Sequence, residues 1–174
     1  LNIDNDHLDY FKTFDNIKNA FIKYVKLLPD DGILVINGDD KNCLDLKQYT
    51  NAKVTSYGID NKNVDFYADN IVFDNDGFAS FDVYHQGNLF GHFSLSVPGK
   101  HNVLNALACI CLCVNYSIDL PHIQSALKKF TGAHRRFEFK GKINDTISVY
   151  DDYGHHPTEI VATANSLKNK KYNE

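Results

Sequence analysis

The run Asp151-Asp152-Tyr153-Gly154-His155-His156-Pro157-Thr158-Glu159 sets carboxylates and imidazoles where an apolar strand gives way to a helix. Ile147, Val149 and Tyr150 read as a short buried strand, and Pro157 suits the first turn of a helix. The loop between them therefore lies at a strand's carboxyl end, the edge where open α/β sheets bind ligands. Acidic residues at a helix N-terminus also have a plain reading, since they stabilise the positive end of the helix. That reading accounts for one aspartate and leaves the His155-His156 pair unexplained.

Two other places carry residues suited to a ligand. Asn102 and Asn105 lie three apart, on one face of an otherwise apolar helix start. A carboxamide donates to and accepts from the N6/N7 edge of adenine together, so such a pair suits an adenine pocket; helix capping or a satisfied buried amide is the alternative. Arg135 and Arg136 precede Phe137-Glu138 on a stretch that reads as a strand, and a guanidinium offers phosphate a fork of fixed positive charge. A solvent-facing pair is the alternative there. His7, with Asp6 and Asp9 beside it, has a spacing compatible with a metal, although one such run is weak as a signature. His85, His92, His101, His122 and His134 receive no role. A phosphate loop of the Gly-Lys-Ser/Thr type is missing, because Gly99-Lys100 is followed by His101 and Gly141-Lys142 by Ile143.

These residues must be positioned by an α/β frame. Asp15 is expected to cap a helix with Ile17, Phe21, Tyr24 and Leu28 on one face, ended by Pro29 and Gly32. Ile33–Ile36 reads as a buried strand of a parallel sheet, closed by Asn37-Gly38-Asp39-Asp40. From about Val54 to Val97 short alternating stretches and the Asn75-Asp76-Gly77 turn signal predict antiparallel strands and hairpins. Pro98-Gly99 precedes a nearly all-apolar helix from His101 to about Asn115, expected to be buried all round. Asp119 and Pro121 start another helix that ends at Thr131-Gly132. A boundary near Gly132 divides the chain into a first domain, 1–132, and the start of a second, 133–174, in which a strand runs to Tyr150 and a helix covers Pro157 to about Lys168.

Composition narrows the function classes. The formal charge is -4 over 174 residues, which offers no general attraction to nucleic acid or an anionic membrane. No apolar run approaches the roughly 20 residues of a spanning helix, and no signal segment opens the chain, so a cytoplasmic location is expected. Cys109, Cys111 and Cys113 alternate in the apolar helix, where about 100° per residue spreads them around the axis; buried reduced thiols are expected, with no disulfide framework.

The three motifs His101-Asn102-Val103-Leu104-Asn105-Ala106, Gly132-Ala133-His134-Arg135-Arg136-Phe137-Glu138 and the acidic loop, in this order, resemble the Mur ligases of bacterial peptidoglycan synthesis. Asn2 to Tyr10 is similar to that family's segment after the ATPase core, so the resemblance spans the whole chain. It implies the C-terminal portion of a central ATP-binding domain, a mixed sheet with antiparallel hairpins and flanking helices, followed by the first strand-helix unit of a Rossmann-like domain. It also implies an ATP-dependent, ADP-forming ligase acting on small molecules. The Asp-Asp-Tyr-Gly-His-His-Pro-Thr-Glu form resembles the branch that joins L-alanine to UDP-N-acetylmuramate. The alternatives are the branch that recycles murein tripeptide, and a non-catalytic nucleotide- or metal-binding piece. Carried over residue by residue, the resemblance gives Asn102 and Asn105 to adenine, Asp152 to the ribose hydroxyls, Arg136 to nucleotide phosphate, His155 to the neighbourhood of the incoming amino acid, and His7 to Mg2+. Asp151 receives no firm role, Arg135 is expected to face solvent or an acidic neighbour, and His156 is expected to cap the helix that Pro157 begins. Since the family's phosphate loop precedes the His7 segment, the chain is expected to be a piece of a longer enzyme and to lack turnover alone.

Overall fold

The computed structural model describes residues 1–168 and 170. A mixed five-stranded sheet has the order β1 (Ile33–Asn37), β2 (Lys53–Gly58), β3 (Phe66–Phe73), β4 (Phe78–His85), β5 (Asn88–Pro98). The first three strands are parallel, and β4 and β5 join them antiparallel. Alternation therefore predicted the β3-β4-β5 meander correctly but misassigned Lys53–Gly58, which pairs parallel with β1 and β3. The segment between β1 and β2 carries helical turns, α3 (Lys41–Leu44) and a 3-10 turn (Asp45–Tyr49), the kind of crossover a parallel pair requires.

The strand ends that face the site are tied by one carboxylate. Asp39 accepts the N–H groups of Ile59, at 2.8 Å, and of Asn61, at 2.7 Å. A β-carbon on Gly58 would stand 2.7 Å from Asp39 Oδ1, so only glycine lets β2 end this close to the β1 loop. Asp40 caps α3 through the N–H groups of Asn42 and Cys43, and its second oxygen accepts the N–H of Ile3 at 2.8 Å.

Helix α4 (Lys100–Asn115) packs on β1, β2 and β3 with Val103, Ala106, Leu107, Ile110 and Cys111 buried, the i, i+3, i+4, i+7 stripe of a one-sided helix. It is not buried all round. Asn105, Cys109 and Leu112 form the opposite stripe and are exposed, so Cys109 departs from the expectation of buried thiols, Cys111 meets it and Cys113 is only partly buried. Helix α5 (Leu120–Lys129) lies against β5, with Asp119 at its N-cap and Pro121 in its first turn as the sequence predicts.

Two short helices open the chain, α1 (Leu8–Phe11) and α2 (Phe14–Val25). Thr13, not Asp15, caps α2, its hydroxyl accepting the N–H of Asn16 at 3.3 Å. The buried stripe uses Ile17 and Val25 with Phe14 and Ile22 packed on it, while Phe21 and Tyr24 turn outward. Both stripes satisfy helical periodicity, and packing against β1 selects between them.

Beyond α5 the chain forms a hairpin, β6 (Glu138–Ile143) and β7 (Ile147–Asp151), then α6 (Pro157–Lys168). One continuous strand was expected where two pair, because Asn144 and Asp145 take left-handed conformations and turn the chain. Ile147 and Val149 are exposed rather than buried. Ser166 of α6, 2% exposed, seats this unit on Gly99 at the head of α4.

Candidate functional site

A cleft of about 1450 Å³ opens between α4, the α1-α2 arm and the 131–163 unit. Its apolar wall includes Phe21, Tyr24, Leu95, Leu104, Leu127 and Phe130. Its polar wall brings together His7, Asn102, Asn105, Arg136, Asp152, His156 and Glu159. Five of the residues singled out from sequence thus share one cavity, and His155 does not line it.

At the head of α4, Gly99 adopts φ 96° and starts the helix. Asn102 Nδ2 donates to the Pro98 carbonyl at 2.8 Å, and Asn105 Nδ2 donates to Asn102 Oδ1 at 3.1 Å. Asn102 is thereby committed to the fold. Asn105 keeps its carbonyl oxygen and one N–H, the donor-acceptor pair that an adenine edge matches. Just before them in the sequence and lining the same cleft, His101 has its imidazole pushed below the ordinary value by burial, with the Asp152 charge pulling the other way.

The acidic loop is shaped by Asp152 itself. Its Oδ1 accepts the Gly154 N–H at 2.6 Å and its Oδ2 accepts the Thr163 hydroxyl at 2.9 Å. Each oxygen retains a second lone pair, enough for a ligand hydroxyl. Asp151 turns away to Arg135, whose Nε lies 3.6 Å from Asp151 Oδ2 and whose guanidinium sits 4.8 Å from the Tyr153 ring centre. Arg135 is thus engaged by the hairpin, while Arg136 faces the cleft.

That division has a backbone cause. Arg135 and Phe137 both take positive φ, 56° and 50°, so the chain reverses around Arg136. Left-handed non-glycine residues carry a strain of about 1 kcal/mol each and persist where the surroundings fix them. Here Glu138 accepts the Arg135 N–H at 2.9 Å, a contact that, ahead of its Lys140 partner, holds the Glu138 carboxyl down at about 2.

The two histidines separate as well. His156 accepts the Thr158 N–H at Nδ1, 3.3 Å, and its Nε2 lies 2.6 Å from the Asn5 carbonyl. His155 points outward with its Nδ1 3.1 Å from the Tyr153 carbonyl and its ring edge against Tyr153. Asp4 strengthens the link to the N-terminal arm: its Oδ2 accepts the Thr158 hydroxyl at 2.7 Å, the main cause of a lowered Asp4 carboxyl, with the Asn5 N–H second.

Sequence reasoning missed Glu159. Its Oε1 meets Arg136 Nη1 at 3.2 Å and its Oε2 accepts the His155 N–H at 3.4 Å. The signal was available, since His156-Pro157-Thr158-Glu159 has the spacing of a capping box, in which the third helical residue reaches back over the helix start. Tyr57 was missed too: at the end of β2, fully buried, it has a hydroxyl without a hydrogen-bond partner among the described residues.

His7 stands at the start of α1 with φ 52° and with Asp6 3.6 Å from its ring. Among the described residues no group of three or more His, Cys, Asp or Glu side chains is gathered as a metal site. Magnesium wants six mostly oxygen ligands in a near-octahedral set, so the donors gathered here do not by themselves fit that ion.

The family model described as the Mur ligase middle domain matches residues 1–113, and that of the Mur ligase glutamate ligase domain matches residues 135–174. The chain belongs to the Mur ligase family. The UDP-N-acetylmuramate--L-alanine ligase of Clostridium acetobutylicum is 48% identical over all 174 residues, and that of Clostridium beijerinckii 46%. The chain spans only 37% and 38% of those two relatives. Among solved Mur ligases, the UDP-N-acetylmuramate-alanine ligase MurC of Thermotoga maritima superposes with a TM-score of 0.75 at 28% identity, covering 94% of this chain and 36% of that one. MurF of Acinetobacter baumannii reaches a TM-score of 0.85 at 23% identity over 98% of this chain and 36% of that one, a likeness of fold. No helix among the described residues is long and apolar enough to cross a membrane.

Proposed function

We propose that the protein carrying this chain is a cytoplasmic ligase that joins L-alanine to UDP-N-acetylmuramate with consumption of ATP, releasing ADP and phosphate. The carrying observation is the convergence of Asn105, Arg136 and Asp152, from three separate elements, on one wall of the cleft. Sequence identity of 42–48% to the alanine ligases of several bacteria, over nearly the whole chain, supports the same branch. The division of the chain at 132/133 is supported by the separate sheets and by the separate spans of the two family matches.

A carboxylate is a poor electrophile, so its oxygen is first phosphorylated. The substrate oxygen attacks the terminal phosphorus of ATP as the bond to ADP breaks. The alanine nitrogen then attacks the acyl carbon, phosphate leaves with the C–O electron pair, and the nitrogen loses its proton. Within this scheme Asn105 orients the adenine, held in turn by Asn102, and Asp152 accepts from ribose hydroxyls. Arg136 neutralises charge that builds on the transferring phosphoryl group. His155, on the outer side of the loop, is assigned to the amino-acid side. His7 would supply at most one ligand to a magnesium ion, which would draw the rest of its oxygen ligands from outside the donors gathered here.

The test is phosphate release by the full-length enzyme with UDP-N-acetylmuramate and either L-alanine or murein tripeptide. Release that needs L-alanine supports the reading; release that needs the tripeptide assigns the enzyme to the recycling branch instead. Asp152→Asn is expected to raise the KM for ATP, whereas Arg136→Ala is expected to lower kcat. Unchanged turnover in Arg136→Ala removes Arg136 from the phosphate role.

A further inference from the structure

Arg136 is the one cleft residue whose charge must be aimed at a reacting group, yet it sits on an irregular turn between two left-handed residues. Backbone alone does not fix a guanidinium at the end of a long side chain. What holds it is Glu159, at 3.2 Å from Nη1. The two side chains are 52% and 40% exposed, so the pair contributes little to stability and its geometry matters more than its energy. Glu159 itself is not free to wander. It is the third residue of α6, and its other oxygen takes the His155 N–H at the mouth of the acidic loop. Burial pushes the Glu159 carboxyl up, but that N–H and the Arg136 guanidinium together pull it further down, keeping it ionised.

One carboxylate therefore touches both the cationic side chain on the phosphate side and the backbone of the loop on the amino-acid side. We propose that Glu159 is a positioning residue: clamped by the start of α6, it aims the Arg136 guanidinium into the cleft and keys that aim to the conformation of the His155 loop. The inference rests on the ligase reading above. It adds a residue to the site whose task is to pre-order a cation that would otherwise sample many rotamers, the entropic part of catalysis.

The plain competitor is that Glu159 only caps α6. A double-mutant cycle in the full-length enzyme separates the two, with kcat for alanine-dependent phosphate release as readout and thermal melting as a control on folding. If Glu159 acts through Arg136, Glu159→Ala lowers kcat about tenfold in the parent and hardly at all in the Arg136→Ala background, because the group it aims is gone. Glu159→Gln loses the charge and keeps one carbonyl oxygen, which can take either the His155 N–H or Nη1 but not both as the two carboxylate oxygens do, so it is expected to recover only part of the lost kcat. Equal fold losses in both backgrounds mean a cap and overturn the proposal, as does full kcat in Glu159→Gln and Glu159→Ala alike. Should Arg136→Ala itself leave turnover intact, the phosphate reading of the site falls and this inference with it, whereas additive losses sink the inference alone.

Discussion

His156 Nε2 lies 2.6 Å from the carbonyl oxygen of Asn5, a residue 151 positions earlier. With His156 Nδ1 accepting the Thr158 N–H, Nε2 is the nitrogen that donates to the Asn5 carbonyl, so one imidazole both caps α6 and fastens the N-terminal arm to it. Thr158 and Asp4 add a second link 2.7 Å long beside the first.

His156→Ala removes both hydrogen bonds and is expected to lower unfolding stability by about 1 kcal/mol, mainly the loss of the cap, since both bonds are exposed. Hydrogen exchange is expected to speed up at α6 and at the Asp4–Asn5 segment together. His155→Ala touches neither link, so its defect is expected in the KM for L-alanine rather than in melting. Loss of exchange protection at α6 alone, with the arm unaffected, counts against the link.

The two asparagines are expected to fail differently. Asn105→Ala removes the groups available to adenine, and loss of such a bidentate contact weakens ATP binding by about 1 to 3 kcal/mol, by analogy with base readout. GTP binding is expected to change much less. Asn102→Ala also frees the Pro98 carbonyl and releases Asn105, so melting falls along with affinity. Calorimetric titration with both nucleotides checks each arm.

Gly99→Ala strains a backbone at φ 96° and drives a β-carbon into Ser166 Oγ and the His101 ring, 2.9 Å away. Left-handed strain plus the overlap is expected to destabilise by about 1 to 3 kcal/mol. The damage is expected to concentrate where α6 seats on α4, so proteolysis between the two family-matched regions is expected to quicken.

His101 gives a pH dependence with a defined sign. Its folded value lies below 6.5 because burial opposes the charged ring, so the unfolded chain takes up the proton first. Its contribution is fully present above about pH 6.5 and is lost progressively as pH falls toward the folded value. His101→Gln is expected to flatten that part of the stability-pH curve in denaturant titrations; an unchanged slope assigns the acid sensitivity elsewhere.

Local rules made much of this chain legible in advance. Pro157 at the head of α6, Pro121 in the first turn of α5, and the run Ile33–Ile36 mark elements that form where their own residues favour them. The three motifs point to the family because their residue types and order are written in the chain itself. Tertiary structure decided which member of each pair faces the cleft. Arg136 rather than Arg135 does so because left-handed backbone at Arg135 and Phe137 reverses the chain, a conformation that neither residue type announces. His156 rather than His155 lines the cleft because its partner is Asn5, and a contact between residues so far apart leaves no local spacing to read. The outward turn of Cys109 and the parallel pairing of β2 have the same origin. Periodicity says which residues share a face, and only the surfaces that other elements cover determine which face is buried.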